Sequence, residues 1–139
     1  MTGVQSPLEP MVYTPVSAVA NLRRAVRISV LLSIVAIVVS ALVGHPLAGI
    51  LGAVGMALGA GNNWVLQKSV IARATGGVSK GKFNGSVMMR LGGTTVIAVV
   101  VGLIFRPDGL AIFIGLALFQ ALMLVGAALP LFRSLRPTP

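Results

Sequence analysis

The chain has no cysteine and, in 139 residues, only two acidic side chains, Glu9 and Asp108. The missing cysteine excludes disulfides, thiolate catalysis and cysteine-based metal sites. The scarcity of acids removes another class of mechanism. Pumps and coupled transporters usually keep an ionisable group at membrane depth, and neither acid falls within a long apolar run. Charge of either sign is rare, at 9% of residues, against about 25% in soluble domains. A chain this poor in charge cannot cover a water-facing surface. Aromatic residues make up 5%, so the net charge of +9 lacks the interleaved aromatics of a nucleic-acid groove, and no nucleic-acid partner is expected. No Ser/His/Asp grouping, HExxH or phosphate loop is readable, so neither enzyme activity nor a cofactor is expected.

What the sequence has is apolar length: 56% of it is hydrophobic. It reads as an all-α polytopic membrane protein with four spans, each of roughly the 20 residues that cross a bilayer. Residues 1–22, with Pro7, Pro10 and Pro15, read as a flexible tail. The membrane domain then covers 23–136, with spans at about 28–44, 47–66, 87–105 and 110–132. The first span is longer than the 7 to 15 residues of a signal-peptide core, and three more follow, so it reads as an uncleaved helix. His45-Pro46 and Arg106-Pro107-Asp108-Gly109 are the short turns. Residues 67–86 read as a basic, glycine-containing loop carrying Lys68, Arg73, Lys80 and Lys82, placed at anionic headgroups. Arg90 follows, close enough to the loop to snorkel.

Basic residues flank the runs with a strong bias. Arg23, Arg24, Arg27, the loop cations, Arg90, Arg133 and Arg136 fall on one side, and Arg106 falls on the other. The positive-inside rule then predicts two helical hairpins with both termini and the loop in the cytoplasm. A re-entrant second span would put the basic loop outside, against that bias.

Span two is unusual. On a helical wheel Gly49, Gly52, Gly55, Gly59, Asn62 and Asn63 fall within an arc of about 140°. Small residues let a second helix approach closely, and asparagines hydrogen-bond across the contact. Two uses fit: packing against this chain's own helices, or a surface for a partner helix. On span four, Gln120 needs a hydrogen-bond partner at membrane depth; Thr94 or Thr95 of span three is the expected one. These stripe residues and Gln120 are the candidate partner-binding residues. His45 and Asp108 would meet if the two short turns are neighbours, although two ligands do not define a metal site. Trp64 reads as an interfacial anchor.

The run Phe105-Arg106-Pro107-Asp108-Gly109-Leu110, then Gly115-Leu116-Ala117 with Phe119-Gln120, then Ala128-Leu129-Pro130, resembles the C-terminal half of actinobacterial ATP synthase protein I. The glycine-rich helix reaching Asn62 and the arginine at Arg90 resemble that family too, over roughly residues 44–136. The resemblance implies an accessory protein of the F-type ATP synthase in the bacterial plasma membrane. It would bind subunit c and promote assembly or stability of the c-ring. Magnesium supply is the other role the family implies. The rival reading is therefore a small cation transporter or channel, and its weakness is the missing membrane-embedded acid.

Overall fold

The structure, a computed structural model, describes residues 15–77 and 79–135. All regular structure among them is helical: α1 (Pro15–Leu42), α2 (Pro46–Ala74), α3 (Lys80–Ile104), a short 3-10 turn (Asp108–Leu110) and α4 (Ala111–Ser134). Each of the four long helices is long and apolar enough to cross a membrane. At 1.5 Å per residue they measure about 36 to 44 Å, which exceeds a hydrocarbon core of about 30 Å.

That excess length accounts for two differences from the sequence reading. The expected tail lies outside the described residues up to position 14, but 15–22 are already helical. The expected loop at 67–86 is mostly helix, since α2 runs to Ala74 and α3 starts at Lys80. Nothing from Gln67 to Ala74 is a helix breaker, so the backbone keeps its hydrogen bonds beyond the apolar stretch. The break comes at Gly76, whose φ of 81° only glycine adopts readily. Its N–H donates to the Arg73 carbonyl at 3.0 Å, and Gly77 N–H donates to Ala72 at 3.1 Å. This is the Schellman pattern of helix ends. Gly44 ends α1 in the same way, with φ 88°, and His45 N–H reaches the Ser40 carbonyl at 2.8 Å.

We call the end holding Gly44 to Pro46 and Arg106 to Gly109 the turn end, and the opposite one the basic end. α2 is the central helix. Antiparallel α1 packs along one side of it, and Ser33 of α1 meets Met56 of α2. α4 packs parallel to α2 along another side, the pairing advancing from Gly52 with Gly115 to Asn63 with Gln120. The core joins these three helices through Leu22, Ala25, Met56 and Phe119. α1 is thus more than the lipid-facing anchor its uniform apolarity suggests. α3 is the outlier: only Ala98 and Gly102 are buried.

Large apolar side chains elsewhere face outward, among them Leu31 at 65% exposure, Met89 at 83% and Leu124 at 72%. Such a surface suits lipid and is far more apolar than soluble monomers tolerate.

Candidate functional site

The glycine stripe of α2 is covered by the chain's own helices at four positions. Gly49 lies against Ala36, Ile37 and Ser40 of α1. Gly52 and Gly55 lie against the backbone of α4 at Ala111, Ile112 and Gly115. Gly59 faces the ring of Phe119, to which an added Cβ would come within 3.0 Å. A side chain at Gly55 would collide with the Ile112 carbonyl, and one at Gly115 with that of Gly52. Between helices in lipid there is little hydrophobic drive, so this close approach supplies the attraction, through dispersion.

The polar residues of the stripe divide. Asn63 is turned towards α4, and its Nδ2 donates to the Gly59 carbonyl at 3.0 Å and to Gln120 Oε1 at 3.3 Å. The expected partner of Gln120 was Thr94 or Thr95 of α3. Instead the Thr95 hydroxyl donates to Leu91 in its own helix at 2.8 Å, because α3 stands away from α4 at that depth. Asn62 faces the other way, into a groove of about 520 Å³ between α2 and α3. Val54 and Gly61 line it from α2, and Gly93, Thr94 and Arg90 from α3. A Cβ added at Gly61, Gly92 or Gly93 would meet nothing within 4 Å. Among the described residues neither Asn62 nor Thr94 has a side-chain hydrogen-bond partner. The wheel grouped Asn62 with Asn63, and the missing information was where α3 leaves a gap. Arg90 borders the groove and is held at the basic end, with Nη1 3.4 Å from Ser69 Oγ and Nε 3.3 Å from the Ser86 carbonyl.

At the turn end His45 Nδ1 lies 3.1 Å from Asp108 Oδ1, so the two short turns are neighbours. No group of three or more His, Cys, Asp or Glu able to hold a metal ion occurs among the described residues. At the basic end the Lys68 ammonium sits 3.7 Å from the Trp64 ring centre. The Arg73 guanidinium lies 5.0 Å from that of Phe83, across the short connection. Lys80 and Lys82 are exposed beside it.

Four apolar helices with outward-facing apolar side chains define a multi-pass α-helical membrane protein. Uncharacterized protein Rv1303 of Mycobacterium tuberculosis is 33% identical over 110 residues, which is 78% of this chain and 68% of the relative. Uncharacterized protein Mb1335 of Mycobacterium bovis matches with the same identity and coverage. The chain belongs to the family of these mycobacterial proteins. No family model and no solved structure matches it.

Proposed function

We propose that the protein is a non-enzymatic accessory factor of the F-type ATP synthase that holds helices of subunit c within the bacterial plasma membrane and promotes c-ring assembly. The resemblance to ATP synthase protein I supplies the partner. The observation that carries the reading is the open groove with Asn62 and Thr94 unpaired inside it. An amide without a partner in hydrocarbon costs several kcal/mol on transfer scales, and a close-packing helix with a polar group relieves that. Subunit c is a hairpin with a glycine-rich helix, the kind of surface that fits beside Gly61 and Gly93. The stripe positions already covered by α1 and α4 serve by holding α2 in place. In this reading the four helices form two hairpins, with both termini and the basic connection in the cytoplasm, the orientation that the bias of Lys and Arg favours.

Co-purification of the tagged protein with subunit c from native membranes tests it. Binding is expected for the wild type and should fall at least tenfold in Asn62→Leu plus Gly93→Leu. Wild-type protein that emerges without subunit c sinks the proposal. A second reading, a cation transporter, draws on the proximity of His45 and Asp108. Magnesium flux into liposomes holding only this protein, lost in Asp108→Asn, would favour it instead.

A further inference from the structure

A second groove of about 520 Å³ opens at the basic end, between the first half of α1 and the last third of α2. It shares no residue with the α2/α3 groove. Leu22 and Val26 supply apolar lining, and Arg23, Arg27 and Lys68 bring positive charge to it. Arg23 and Arg27 are four residues apart and therefore share one face of α1. Trp64 and Lys68 repeat that spacing on α2, and the Lys68 ammonium lies over the face of the indole. Gln67 ties α2 to α1 beside the groove, donating to the Ala18 carbonyl at 3.0 Å.

Depth gives the groove its meaning. Arg27 lies about 23 Å and Lys68 about 33 Å along their helices from the turn end, at 1.5 Å per residue. With a hydrocarbon core of about 30 Å, the cations straddle one boundary of the bilayer. The only acid among the described residues, Asp108, is at the opposite end, beside His45. Three cations thus converge where no carboxylate of the described chain can neutralise them. Guanidinium groups match a phosphate with paired N–H donors, and a basic pocket between spanning helices suits an anionic headgroup.

We propose that this groove binds one anionic phospholipid. Its phosphodiester lies between Arg23, Arg27 and Lys68, and an acyl chain runs along Leu22 and Val26 beside Trp64. A zwitterionic lipid has the same tails but leaves the positive charge unbalanced, and inorganic phosphate has the charge without the tail.

Trp64 is the only tryptophan of the chain, so its emission reports on the groove. The full chain in a neutral detergent is titrated separately with phosphatidylglycerol, with phosphatidylcholine of the same acyl chains, and with inorganic phosphate. A saturable spectral change is expected with phosphatidylglycerol alone. Its apparent Kd should rise at least tenfold in Arg23→Gln plus Arg27→Gln, and should stay within twofold in Lys80→Gln plus Lys82→Gln. Lys68→Gln, a milder variant, should weaken binding about threefold and serves if the arginine pair does not fold. An equal response to phosphatidylcholine or to phosphate overturns the proposal. So does equal weakening by the Lys80/Lys82 pair, which would indicate diffuse surface charge.

Discussion

α2 and α3 both carry glycines within their membrane-spanning stretch and use them in opposite ways. On α2, four glycines sit under other helices, and 28% of its most apolar stretch is buried against 11% for α3. On α3, Gly92 and Gly93 face open space. The same residue type therefore marks a closed internal joint in one helix and an unfilled groove wall in the other. The difference lies in the neighbour. α4 brings Gly115 to the level of Gly52, and the two backbones approach over a length no larger residue would allow. α3 makes that kind of approach only at Gly102, against Gly109 and Phe113.

Substitutions can break this contrast. Gly55→Leu has the largest expected effect, because the new side chain meets backbone that cannot move aside. A loss of more than about 3 kcal/mol is expected, at or above the upper end for overpacking, read as a large fall in Tm in detergent. A Tm close to wild type would show that α2 and α4 separate easily. It follows that combining Gly55→Leu with Gly59→Leu tests folding and is no clean probe of partner binding. Gln120→Leu removes the Asn63 contact and should lower stability by about 0.6 to 2 kcal/mol; an unchanged Tm would mean the bond contributes nothing. Asp108→Asn weakens a contact whose histidine is 59% exposed, so less than about 1 kcal/mol is expected. Gly93→Leu should be the quietest, within about 0.5 kcal/mol of wild type. A clear loss of stability there would mean that α3 packs more tightly than the groove implies.

The sequence carries some of this arrangement and not the rest. The number of helices and the position of both turns are written in apolar runs and in breakers such as Pro46 and Pro107. The continuation of α2 through Gln67 to Ala74 is not, because a polar stretch free of glycine and proline fits a loop or a helix leaving the membrane. The core role of Leu22 and Ala25 was hidden for a different reason: both precede the apolar run that starts at Ile28, and the prolines up to Pro15 suit a tail, so no packed helix was expected around them. The stripe was visible on the wheel, but its cover was not. α4 is distant in sequence, and no local spacing says that Asn63 will find Gln120 while Asn62 finds an empty groove.

The parallel pairing of α2 with α4 also has a consequence in time. The residue that covers Gly59 is Phe119, roughly sixty positions later, which is about 3 to 12 s of synthesis at about 5–20 residues per second. Until then the glycine face of α2 borders lipid or another helix. A chain stopped after Ile104 should remain in that condition and self-associate in membranes, as cross-linking would report; a strictly monomeric truncated chain would count against this. Among the described helices, the last to be made is the one that covers the glycine face of α2. The order of synthesis thus gives those glycines an interval in which a foreign helix can reach them.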